Sequence, residues 1–188
     1  MNNDALLWRF CVHEAGHAIC AIALGHRVNV IFARPDGGYC EDTATPATDC
    51  ALITAAGPAA EQLLSSEPPP AAEAPTQPAT PPQRFAHLAT SEVIADLSHR
   101  VGCEGQAPLL SDDVALAQYA IRGAESDPQR WIERLTFVKA YAARIVEQQR
   151  DKILILAREL YLRGFLSANE IQLVNEESKN ERVRLDRT

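Results

Sequence analysis

The sequence predicts a mainly α-helical domain carrying one small β-hairpin. Three observations lead there. Apolar residues recur at helical spacing along Ala- and Leu-rich segments through most of the chain. One stretch, "RVNVIFARPDGGYCEDT", alternates instead and contains a Pro-Asp-Gly-Gly turn. The length of 188 residues suffices for one well-buried core and is short for two independent domains.

The first helix is expected from about Asp4, as N-cap, to a stop at Gly25, with Leu7, Phe10, Cys11, Ile19, Ile22 and Ala23 suiting a helix largely sheltered by other elements. Val28, Val30 and Phe32 then alternate as a strand, Pro35 to Gly38 turn, and a second short strand follows. "TDCALITAAGPAAEQLL" reads as a helix that Pro58 kinks or splits. Residues 65–83 hold seven of the twelve prolines, which excludes regular hydrogen-bonded structure and marks an insertion or linker. "RFAHLATSEVIADLSHRVG" is expected to be helical, and "SDDVALAQYAIRG" opens another helix with Ser111 as N-cap. Asp127 caps the next, with Pro128 at its first position. The stripe Trp131, Leu135, Val138, Ala142, Ile145, Ile153, Leu156 and Leu160 makes this one long helix, or two in series, ending at Gly164. "SANE" from Ser167 is a capping box for a short last helix, and the charged tail beyond about Asn175 is expected to fray. The organisation is thus one domain in two halves, residues 1–64 and 84–175, separated by the Pro-rich 65–83 and followed by a tail at 176–188.

A net charge of −7, with basic residues interspersed among acids, argues against nucleic acid as a partner. Five widely spaced cysteines with no C-x-x-C pair indicate neither a disulfide framework nor a thiolate zinc site. No signal peptide opens the chain and no apolar run approaches the roughly 20 residues that cross a bilayer, so no membrane association is expected and a cytoplasmic location is the default.

His13-Glu14-Ala15-Gly16-His17 spells H-E-x-x-H in the middle of the first helix. Residues four apart share one face, so both imidazoles can aim a ring nitrogen at one zinc ion, with Glu14 beside them. Two histidines leave a tetrahedral ion short of one protein ligand and one water. Zinc lowers the pKa of such a water toward ~7, and Glu14 is the expected base that takes its proton during attack on a polarised carbonyl. The bland alternative, a buried polar cluster without metal, leaves two imidazoles and a carboxylate to be desolvated at high cost. Gly16 costs roughly 1 kcal/mol relative to Ala in mid-helix, which suggests that another backbone or a ligand comes close. The residues alone leave the remaining ligand open among Asp113, Asp112, Asp96, His87 and His99. The two aspartates follow an N-cap serine, where the helix dipole favours carboxylates whatever the function, and the two histidines suit a partly exposed helix face.

The longer string "VHEAGHAI" resembles the metal-binding helix of the FtsH-type ATP-dependent zinc proteases, usually H-E-A-G-H-A. Downstream, "VNVIFARPDGG" resembles that family's following strand and turn, "ITAAGPAAEQLL" its G-G-R-A-A-E-E segment, "SDDVALAQYAI" its A-S-N-D helix start, and "AARIVEQQRDKILILARELYLRGFLSANEI" its long C-terminal helices. The likeness covers most of the chain outside residues 65–108. It implies a helical zinc-peptidase fold with Zn2+ held by His13, His17 and Asp113, with Glu14 as general base and Glu61 orienting a ligand histidine. No G-x-x-x-x-G-K-[ST] occurs in these 188 residues, no membrane anchor like the family's is expected, and the stretch from Glu61 to Asp113 is longer than the family's.

The leading expectation is therefore a stand-alone zinc metallopeptidase domain. It would act on accessible peptides or unfolded protein, alone or with a separate ATPase as unfoldase. The strand at Val28 to Ala33 is the expected edge for pairing with substrate. A homo-oligomer is open, since the family assembles rings. The alternative is a catalytically silent interaction or regulatory module that keeps the fold, with the Pro-rich segment as a partner's ligand. A third reading is a zinc hydrolase of non-peptide amides.

Overall fold

The computed structural model describes residues 3–34, 37–64, 67, 112–122 and 127–185. The expected helix at 84–102, the Ser111 cap and all but one residue of the Pro-rich run lie outside them, as do Asp96, His87 and His99. Six helices and three strands are described: α1 (Asn3–Ala23), β1 (Val28–Arg34), β2 (Gly37–Asp42), α2 (Ala47–Leu64), α3 (Asp112–Arg122), α4 (Pro128–Gln148), α5 (Arg150–Arg163), β3 (Phe165–Ser167) and α6 (Ala168–Leu185). The mainly helical expectation holds. None of the described helices is long and apolar enough to cross a membrane.

Around α1 the rest is arranged. It touches α2, α4, α5 and the sheet, and its buried residues Trp8, Cys11, Val12, Ala15, Ala18, Ile19 and Cys20 point to more than one side. Such a helix is stable only when enclosed, because burying each large apolar side chain contributes about 1.5–3 kcal/mol. Gly16 shows how close the enclosure is. A Cβ there would fall 2.7 Å from the Ala60 Cβ and 2.8 Å from the Ala56 carbonyl oxygen, so the backbone of α2 crosses α1 against bare glycine. Pro58 neither splits α2 nor ends it. It sits on the exposed face while Ala56, Gly57 and Ala60 bury the other side, and that packing offsets the one hydrogen bond the proline removes.

The strand order is β2-β1-β3, both pairs antiparallel. β3 was not anticipated: three residues are too few to show alternation, and it pairs only because α5 ends at Gly164 and returns the chain alongside β1. Ile31 aligns with Cys40 on one side and Leu166 on the other and faces the core. The next row, Tyr39, Phe32 and Phe165, faces outward, since successive residues of a strand alternate sides. One expectation fails here. β1 was to offer the edge for an extended substrate, yet both its edges are taken, and among the described residues the outer strands are β2 and β3.

The long apolar stripe resolves into two helices in series, broken at Gln149, with Val138, Ala142, Ile145, Ile153, Leu156 and Leu160 in the core as expected. Asp127 caps α4 by accepting from the Gln129 amide at 3.0 Å. Glu170 accepts from the Ser167 amide at 2.8 Å and its hydroxyl at 2.6 Å, the capping box read from the sequence. The last helix is longer than anticipated, running through the charged tail to Leu185. Cys11 and Cys20 are buried, Cys40 and Cys50 half-buried, and all four are free thiols.

Candidate metal centre

One turn of α1 brings His13 and His17 side by side, their rings edge-on at 4.6 Å between centroids. Each Nδ1 is occupied. His17 Nδ1 lies 2.7 Å from the Ile53 carbonyl oxygen, which can only accept, so that nitrogen carries the ring proton. His13 Nδ1 lies 2.6 Å from Glu61 Oε1. Hydrogen bonding to His13, and then to Arg9, holds the Glu61 carboxyl below its usual range against the opposing effect of burial, so Glu61 is a carboxylate and Nδ1 again donates. Both Nε2 atoms are thereby turned to the same point.

Asp112 meets them there. Its Oδ2 is buried, 3.0 Å from His13 Nε2 and 3.6 Å from His17 Nε2. The three atoms lie within 4.8 Å of one another, close enough to ligate one ion, and form the one such group found among the described residues. Two histidine nitrogens and a carboxylate oxygen are a donor set that suits zinc, and a buried carboxylate drawn up to two imidazoles is an arrangement that a cation, whether a proton on His13 or a metal ion, satisfies. Asp113, the residue that the family likeness pointed to, is exposed instead. Successive helix residues are turned by about 100°, so only one of two adjacent aspartates in the first turn of α3 can face α1.

The surrounding carboxylates act on the pKa of His13. Burial would lower its pKa, but the carboxylates of Asp112 and Glu61 outweigh burial and push it up to about 10. His17 goes the other way, lowered by its own burial and then by the charge of His13. In chelator-treated protein we expect nitrogen-detected histidine NMR to find His13 still doubly protonated at pH 8 while His17 is neutral. Titration of His13 near 6.5 would contradict the proximity of Asp112.

Glu14 is buried on the same helix. Burial, reinforced by the charges of Asp112 and Glu61 and opposed by that of His13, pushes its carboxyl up to about 8. It lies against β2: a Cβ on Gly38 would fall 2.5 Å from Glu14 Oε1. Gly57 does the same for the histidines. A Cβ there would fall 2.5 Å from His17 Cε1 and 2.6 Å from His13 Nε2, so the rings rest directly on the backbone of α2. Gly57→Ala, which improves helix propensity by about 1 kcal/mol, should leave the fold intact yet displace both rings, and any metal affinity of the centre should fall at least tenfold. Unchanged affinity in a zinc competition titration would show that the rings have room to spare.

The Ile53 carbonyl, Gly57 and Gly38 were not anticipated as parts of the site. A backbone carbonyl has no side-chain signature, but a glycine inside an Ala-rich helix, as at Gly57, is the same signal that was read correctly at Gly16. No protein-family model matches the chain, and no curated protein matches it.

Proposed function

We propose that this chain is a zinc-dependent peptidase domain resembling the FtsH-type enzymes. The observation that carries the reading is the convergence of His13 Nε2, His17 Nε2 and Asp112 Oδ2 within 4.8 Å of one another, beside a buried glutamate on the same helix. When bound, zinc supplies Lewis acidity, making water nucleophilic near neutral pH and polarising a carbonyl. The protein's own groups do the rest. Glu61 and the Ile53 carbonyl hold the two Nδ1 protons and so keep both Nε2 atoms available. Glu14 takes the proton of the attacking water at its carboxylate and returns it to the departing amine. A carboxyl raised toward neutral pH suits both transfers.

Substrate access follows from the sheet. Among the described residues β2 is an outer strand of the sheet, and an extended peptide adding along it would run past Gly38 and hence past the Glu14 carboxylate. Edge pairing needs a locally unfolded chain, so the substrate class is accessible peptides or unfolded protein, with any unfolding done by a separate ATPase. The test is hydrolysis of a loosely folded protein by wild type and Glu14→Gln with the zinc content of both measured. The competing reading, a silent interaction module, expects zinc in both and hydrolysis in neither.

A further inference from the structure

The two histidines of the centre are anchored unequally. His17 donates to a main-chain carbonyl inside α2, which cannot swing away. His13 donates to the side chain of Glu61, which is 22% exposed and has three rotatable bonds. A flexible carboxylate open to water makes a poor anchor unless something holds it. Arg9, one turn before His13 on α1, does so: its Nη2 and Nε donate to Glu61 Oε2 at 2.6 Å and 3.2 Å, while Oε1 accepts from His13 Nδ1 at 2.6 Å. Glu61 is thus gripped at both oxygens by two residues of the same helix face.

We infer that Arg9 is a positioning residue for the metal centre, acting through Glu61 to fix the ring of His13; this rests on the metal reading above. Its charge alone argues the opposite way, because a guanidinium near a cation site repels the cation. Were charge its whole effect, removing it would tighten metal binding. Positioning predicts loosening, so the sign of the change separates the two. With its side chain 47% exposed, Arg9 can be replaced without opening the core.

The experiment is a titration with Co2+, followed by its visible absorption, of wild type, Arg9→Met, Arg9→Lys, Glu61→Gln, and Arg9→Met in the Glu61→Gln background, with thermal melts alongside. Arg9→Met should bind Co2+ about tenfold more weakly, at the lower end of what losing an outer partner of a ligand histidine costs. Arg9→Lys, which can still donate to Oε2, should recover most of the affinity. Where Glu61 is already Gln, Arg9→Met should change affinity less than twofold, because the route to His13 is gone. Co2+ bound by Arg9→Met as tightly as by wild type or more so, or an equal loss in the Glu61→Gln background, overturns the inference and leaves the metal centre standing. A wild type that takes up no Co2+ overturns both.

Discussion

Asp112→Ala should purify without zinc while Asp113→Ala keeps a full equivalent. The apparent binding free energy of a four-ligand zinc site is about 10–16 kcal/mol, so one ligand carries roughly 3 kcal/mol, and its loss weakens binding on the order of 100-fold or more. Asp113 is exposed and contributes no atom to the cluster. Both aspartates stand in the first turn of α3. Removing either forfeits the same interaction with the helix dipole, about 0.3–1 kcal/mol. Any general weakening of α3 is therefore common to the two variants, and the difference between them reports ligation. Elemental analysis of protein purified without added metal reads it directly. Equal zinc in both would remove Asp112 from the centre; loss in Asp113→Ala alone would restore the assignment that the family likeness suggested.

Glu14→Gln should abolish hydrolysis and leave the zinc in place. The amide fills the same space against Gly38 but cannot accept a proton, and a positioned acid–base group is worth about 10²–10⁴ in rate. Stability should move the opposite way. The folded pKa, about 8, is raised above an ordinary glutamate's 4.5, so ionisation of wild-type Glu14 favours the unfolded chain and wild type loses stability as pH rises through that window. Gln has no such loss. In chelated protein, the advantage of Glu14→Gln in thermal melts should grow between pH 5 and 8. A variant as active as wild type would show another group to be the base, whereas zinc in both with activity in neither favours the silent module.

The helices were legible because their apolar residues repeat at the right spacing over many turns, as from Trp131 to Leu160, and because caps such as Asp127 and Ser167 act through neighbours in the chain. What escaped was whatever depends on distant partners. β3 is three residues long and exists by virtue of β1; the central place of β1, which removed it as a docking edge, follows from that pairing. In the candidate site, His13, Glu14 and His17 could be grouped because one turn of one helix sets their spacing. Asp112 could not be told from Asp113, since the choice turns on how α3 is rotated against α1. Glu61 came from a likeness in an Ala-rich segment, and its contact with Arg9 came only from the packing of α2 on α1.

α3 is the least self-sufficient part of the proposed centre. At 11 residues it falls below the ~12–15 at which isolated helices are even marginal in water. It fully buries Leu116 and Ala120, and beyond these it is tied by the Tyr119 hydroxyl to Thr48 and by Arg134 lying 4.5 Å over the Tyr119 ring. An ion gripped by Asp112 on one side and by α1 on the other is then a clasp. At a hundred times its dissociation constant it contributes about 2.7 kcal/mol toward keeping α3 docked. Chelation and local opening of α3 become two descriptions of one equilibrium. If the centre binds zinc as proposed, loss of the ion removes that tie, and α3 is left to Leu116, Ala120 and the Tyr119 contacts to stay in place.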